Sequence, residues 1–314
     1  MKPRTNAMRV SVLVLLTSLA ALAACSQKPK SFDTPEAAAQ ALVEAAKADG
    51  DDALLELLGK DAKPLINSGD PVADKNARAS FIQNYETANS LDKSIPDLVA
   101  LEVGEDKWPF PIPLVSEGGK WHFDSPTGLD EVINRRVGAN ELATIQSCLA
   151  YVDAQREYYT RNVEKDPFLH YAARLISTEG KKDGLYWPAG DAEEQSPLGV
   201  AFAKARAEGY VQDGSMSGEP YHGYIYRMLT KQGPNAKGGA YDYLVKDQLL
   251  GGFAAVAFPA EYGNSGVMTF IVNHDGVVYS KDLGAETSKL ALAMDTFDPD
   301  QTWTKEETEQ TAGL

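Results

Sequence analysis

The chain has 314 residues, more than one typical domain, and 43% of them are apolar, so two folded units with real cores are expected. Its formal charge of −15 at pH 7 sets it against nucleic-acid phosphates and anionic lipid headgroups as partners. The same acidity is also what keeps a secreted protein soluble.

The first 24 residues read as a secretory leader. Lys2, Arg4 and Arg9 give it a positive start, and Val10 to Ala24 is apolar apart from Ser11, Thr17 and Ser18. That run is too short to span a bilayer comfortably, which suits a cleaved signal. It ends in Leu22-Ala23-Ala24-Cys25, which resembles a bacterial lipobox. The resemblance implies that small residues admit the peptidase, and that the Cys25 thiol takes a diacylglyceryl group before becoming residue one. An ordinary signal with a chance cysteine is the competing reading, and the spacing from the apolar run favours the lipobox. Buried acyl chains of the palmitate kind contribute about 0.8 kcal/mol per CH₂, so several of them make a permanent anchor. Ser26, where an Asp would retain the protein at the inner membrane, implies by resemblance to Gram-negative sorting the periplasmic face of the outer membrane. With Cys25 lipidated, Cys148 has no partner for an intramolecular disulfide. It sits in a helical run with Ile145, Leu149 and Val152 and is expected as a buried, inert thiol.

Residues 25–31 read as a tether and 32–126 as an α+β unit. Asp33 or Thr34 caps a helix with Pro35 at its first position, running over Glu36 to Ala48. A second helix covers Asp52 to Leu58 and stops at Gly59, and a third covers Asp74 to Ala88. Strands are expected at Asp97 to Val103, Trp108 to Val115 and Lys120 to Asp124. Prolines 109, 111 and 113 strip donors from the middle strand, which places it at a sheet edge. This half resembles the cone-shaped α+β domains related to nuclear transport factor 2, in fold alone.

Residues 127–314 read as a long helix with an antiparallel sheet. Leu129, Val132, Ile133, Val137, Leu142, Ile145, Cys148, Leu149 and Val152 keep one stripe from Thr127 to about Asn162, a helix that either runs through Gly138 or breaks there. Residues 163–220 look like an insertion, with a short helix over Pro197 to Glu208. Strands follow at Tyr224 to Leu229 and Tyr241 to Val245. Three more strands occupy Gly252 to Phe258, Val267 to Asn273 and Val277 to Lys281, the last two joined by the Asp275-Gly276 turn. A short helix and an acidic tail, Lys305 to Glu309, close the chain, and the tail is expected to fray.

Several long segments are characteristic: Trp108-Pro-Phe-Pro-Ile-Pro-Leu, Gly119-Lys-Trp-His-Phe-Asp, Asn134-Arg-Arg, Tyr151-Val-Asp-Ala-Gln-Arg-Glu-Tyr, Gly233-Pro-Asn-Ala and most of Gly251 to Gly284. On these the mature chain resembles the bacterial family known as domain of unknown function 2950, a resemblance that implies no activity. The C-terminal half also resembles type IV pilin-like domains, through Ala154-Gln-Arg-Glu-Tyr158, Ala257-Phe-Pro259, Thr269-Phe-Ile-Val272 and Asp275-Gly276. In pilins that helix follows the leader directly, whereas here a whole unit precedes it. Only a helix-on-sheet fold is therefore implied, without polymerisation.

No convincing catalytic motif is legible. Gly263-Asn-Ser-Gly266 lacks the spacing of a nucleophile elbow, and Ser90-Leu-Asp-Lys93 matches S-x-x-K without its companion motifs. Gly233 to Gly239 reads as a hairpin loop, not a phosphate cradle. The four histidines, His122, His170, His222 and His274, show no paired metal-ligand spacing. Tyr224, Tyr226, Tyr241 and Tyr243, with Tyr221 beside them, form the candidate recognition surface, the bland alternative being rings packed as core. The expectation is thus a lipid-anchored binding or assembly module of the envelope, without cofactor, engaging an unknown envelope protein or small ligand. An envelope hydrolase with an unrecognised site is the alternative.

Overall fold

The computed structural model describes residues 29–48, 50–190, 194–210 and 220–307. The residues expected as a leader, and Cys25, on which the expected anchor rests, lie outside them. The fold is α+β.

Two helices of its first half, Pro35–Lys47 and Pro71–Thr87, start at side-chain caps. Thr34 accepts a hydrogen bond from the Ala37 amide (3.1 Å), and Pro35 opens helix α1 (Pro35–Lys47). Helix α2 (Asp52–Leu58) stops at Gly59, whose φ of 91° a side chain would strain. After the short α3 (Lys63–Ile66), helix α4 (Pro71–Thr87) starts earlier than the expected Asp74. Asp70 accepts from the Ala73 amide (2.9 Å) and Pro71 takes the first position, where its missing N–H is harmless.

Strand β1 (Asn89–Ile95) has no apolar alternation and was not expected. It forms a hairpin with β2 (Leu98–Val103) through Asp97 at φ 59°. The proline-rich strand is a correction. It divides into β3 (Trp108–Pro109) and β4 (Leu114–Glu117), because no ladder bond can form at Pro111 and Pro113. β3 pairs only with β2, but β4 lies between β2 and β5 (Lys120–Phe123), so the edge position fails for Leu114–Glu117.

Helix α5 (Ser125–Arg161) is one unbroken element of 37 residues, about 55 Å at 1.5 Å per residue. Gly138 does not break it. Leu129 and Val132 near one end pack on the first core with Leu42, Leu101, Leu114 and Phe123. Cys148, Tyr151, Val152 and Tyr158 near the other belong to a second core with Phe253, Phe258 and Phe270. With both ends buried on cores, the weak helix preference of one glycine is overridden.

Beyond helix α6 (Gly199–Ala207) come β6 (Tyr224–Leu229), β7 (Lys231–Gln232), β8 (Tyr241–Asp242), β9 (Leu244–Val245), β10 (Gln248–Leu249), β11 (Ala254–Pro259), β12 (Met268–Asn273) and β13 (Val278–Asp282). Helix α7 (Thr287–Ala293), β14 (Thr296–Phe297) and β15 (Thr304–Lys305) follow. The main sheet runs β15-β13-β12-β11-β6, all antiparallel. Gly276, at φ 81°, closes the β12–β13 turn through a bond from its amide to the Asn273 carbonyl (2.9 Å). The tail is corrected up to Glu306: Thr304–Lys305 pairs with β13 and the Glu306 amide bonds to the Val278 carbonyl (2.9 Å), which the sheet edge makes possible.

The long segment after α5 is pinned to it by a buried amide. Gln155, fully buried, donates to the Ala172 carbonyl (2.9 Å) and accepts from the Ala172 amide (2.9 Å). No helix among the described residues is long and apolar enough to cross a membrane.

Candidate functional site

A cavity of about 420 Å³ opens between α5, α6 and the edge strand β6. Its walls are mostly apolar. Ala143, Ser147, Cys148 and Tyr151 come from α5, Ala201, Phe202 and Ala205 from α6, and Ile225, Tyr226 and Met228 from β6. Leu175, Ile176 and Leu198 close it from the intervening segment. Tyr186 stacks on Phe202 at 3.9 Å between centroids and 7° between planes, which ties α6 to the intervening segment.

A tight turn delivers Tyr221 and His222 to the cavity. Tyr221 and Tyr224 exchange backbone hydrogen bonds (2.8 and 3.2 Å) across His222 and Gly223, whose φ values are 51° and 74°. Two left-handed residues in a two-residue loop make a type I′ turn, the hand that matches strand twist. A β-carbon at Gly223 would meet Asn140 Nδ2 at 2.4 Å, so glycine is required there. His222 Nε2 lies 3.4 Å from Glu208 Oε2, and the Tyr221 and His222 rings are 4.2 Å apart.

Burial keeps the thiol, the phenols and the imidazole of the lining uncharged, whereas Lys204 and Arg227 bring positive charge to it. Burial pushes the Cys148 thiol up to about 12 and, with help from Glu208, the Tyr221 phenol up to about 12. Tyr151 and Tyr226 are likewise raised by burial. Burial also pulls His222 below its ordinary value, outweighing the opposing pull of Glu208. At neutral pH these five groups are therefore neutral, and Cys148, 2% exposed, is no thiolate nucleophile. A cation stands nearby in the exposed Lys204.

The four tyrosines do not form one surface, which corrects that expectation. Tyr224 and Tyr243 are fully buried, their hydroxyls bonded to the Met268 carbonyl and Gln232 Oε1 (both 2.9 Å). Gly266 makes the room, since a β-carbon there would lie 2.2 Å from the Tyr224 hydroxyl. Tyr226 lines the cavity and reaches Thr144 Oγ1 (3.3 Å), while Tyr241 is 38% exposed. Alternation along β6 puts Tyr224 and Tyr226 on one face as expected, but that face is covered by α5.

Comparison with known families decides what the chain is. A family described as "Protein of unknown function (DUF2950)" matches residues 29–306. The chain belongs to it. No curated protein and no solved structure matches the chain.

In this DUF2950 chain the motif-like matches have ordinary roles. Ser90 lies on β1 and bonds Glu102 Oε2 (2.7 Å), while Lys93 pairs with Glu36 (2.5 Å). Sequence reasoning missed the residues that could hold a metal, Glu164, Asp166 and His170, whose ligand atoms lie within 4.8 Å of one another. Their only signal in the sequence is a mixed E-x-D-x-x-x-H spacing on a loop, with no paired histidine or cysteine. His222 was also passed over, its signal being the His-Gly pair just before a strand.

Proposed function

We propose that the mature DUF2950 chain is a lipid-anchored binding module on the periplasmic face of the outer membrane, attached through Cys25. The cavity between α5, α6 and β6 is its ligand site, and the ligand is a small apolar or amphiphilic molecule. One observation carries this: the cavity's walls are mostly apolar and its thiol, phenols and imidazole are held in uncharged forms, so a ligand is desolvated mainly against apolar groups, with Lys204 and Arg227 in the lining to meet a negatively charged end. Its volume of about 420 Å³ falls in the usual range of about 300–1,000 Å³ for small-molecule sites. Lys204 at its border suits an anionic headgroup.

A fluorescent fatty acid titrated into the purified protein is expected to bind saturably. Ala201→Trp, which fills the cavity from α6, should reduce that binding at least tenfold at unchanged secondary structure. Equal binding by wild type and variant overturns the assignment. The anchor is tested separately: a clickable fatty acid should label wild type in cells and not Cys25→Ala.

A hydrolase is the second reading, favoured by the His222–Glu208 pair beside the cavity. Turnover of a short-chain aryl ester that disappears in His222→Gln would establish it over the binding reading.

A further inference from the structure

We propose that Glu164, Asp166 and His170 form a site for a single divalent transition-metal cation of the zinc class, at the C-terminal end of α5. It is separate from the apolar cavity, and nothing in the proposed ligand binding requires it.

His170 Nδ1 lies 3.1 Å from the Tyr171 carbonyl, an oxygen that can only accept, so Nδ1 carries the ring hydrogen. In the neutral ring Nε2 is then a bare lone pair. That lone pair faces two carboxylate oxygens, Asp166 Oδ2 at 3.0 Å and Glu164 Oε2 at 3.5 Å. Such contacts are held only by a proton on Nε2 or by a metal cation among the three atoms, which lie within 4.8 Å of one another. A histidine that gives one ring hydrogen to a backbone carbonyl and turns the other nitrogen to acidic oxygens has the outer hydrogen bond usual for a metal ligand.

Size and donor type agree. Bonds of about 2.0–2.1 Å in a tetrahedral site put ligand atoms about 3.3 Å apart, between the two separations seen. One imidazole with two carboxylates and a position left to water suits zinc better than the all-oxygen shell of calcium or magnesium.

The donors are held in place from outside the cluster. The Tyr158 hydroxyl lies 3.1 Å from Glu164 Oε2, and Gln248 Nε2 on β10 donates to Asp166 Oδ2 (2.9 Å). Asn162, left-handed at φ 44°, ends α5 and clamps Asp166 by donating to its carbonyl (3.0 Å) and accepting from its amide (3.1 Å). The His170 side chain is only 9% exposed, whereas Glu164 and Asp166 remain about one-third open to solvent, which leaves an entry path.

The test uses the full chain, stripped with chelator and titrated with zinc chloride alone at pH 7, by calorimetry and by ¹⁵N shifts of the histidine rings. Expected are one saturable site, a shift of His170 Nε2 with Nδ1 still protonated, and affinity lowered roughly tenfold or more in Glu164→Gln. Because Glu164 is partly exposed, that variant should melt like wild type without metal, and His170→Gln serves as a second loss of a ligand. Equal zinc affinity in wild type and Glu164→Gln overturns the proposal. So does a His170 ring that stays protonated on both nitrogens at saturating zinc, which would identify an imidazolium ion pair.

Discussion

Asp70 shows how one side chain can serve two elements at once. It caps α4 and, 1% exposed, also accepts from the Tyr210 hydroxyl (2.9 Å) and from the Gly223 amide (2.8 Å) of the His222 turn. Asp70→Ala strands three donors, two of them in the second core's territory. The expected loss is about 3 kcal/mol or more, read from urea denaturation, with Tyr210→Phe costing only about 1 kcal/mol. Histidine titration gives a pH dependence. Burial lowers both His222 and His274 from 6.5, so between their folded values and 6.5 the unfolded chain binds more protons than the native one. Stability from these groups is therefore complete above about pH 6.5 and lost as pH falls through their folded values. Replacing both by Gln should flatten the fall in melting temperature between pH 7 and pH 5.

Among the elements, α5 carries the most information. Its stripe was legible as a period of 3.6, while its start lies two residues before the expected Thr127, at Ser125, where Asp124 Oδ2 accepts from the Thr127 hydroxyl (2.6 Å). Its continuity through Gly138 was not legible, because that depends on cores at both ends. No heavy atom lies within 4 Å of a β-carbon placed at Gly138, so Gly138→Ala should stabilise the protein by about 1 kcal/mol with an unchanged denaturant slope. The contrast is Gly266, where the Tyr224 hydroxyl already fills the space and alanine should destabilise. β1 was invisible for a related reason: Asn89–Ile95 is polar on both faces, and only β2 beside it makes it a strand.

For the whole molecule, the two hydrophobic cores meet at few polar contacts. Arg136 on α5 donates to the Pro64 and Leu65 carbonyls (2.9 and 3.0 Å) and to Asn264, whose own amide donates to the Asn67 carbonyl (2.9 Å). Arg136→Ala removes the guanidinium's share of the link between the end of α3 and the β11–β12 loop, leaving the bond from Asn264 to the Asn67 carbonyl. Unfolding followed by tryptophan fluorescence and by circular dichroism should then give two separated transitions instead of coincident ones. The sequence by itself determined the capped start of α1, the break at Gly59, the Asp275-Gly276 turn and family membership, because each is written in neighbouring residues. Only the tertiary structure decided that Tyr224 and Tyr243 are core, that β4 is interior, that β6 and two helices enclose a cavity, and that Glu164, Asp166 and His170 face one another. Those outcomes depend on which faces are brought together by burial, and the direction of a side chain in space is set by packing and not by spacing along the chain.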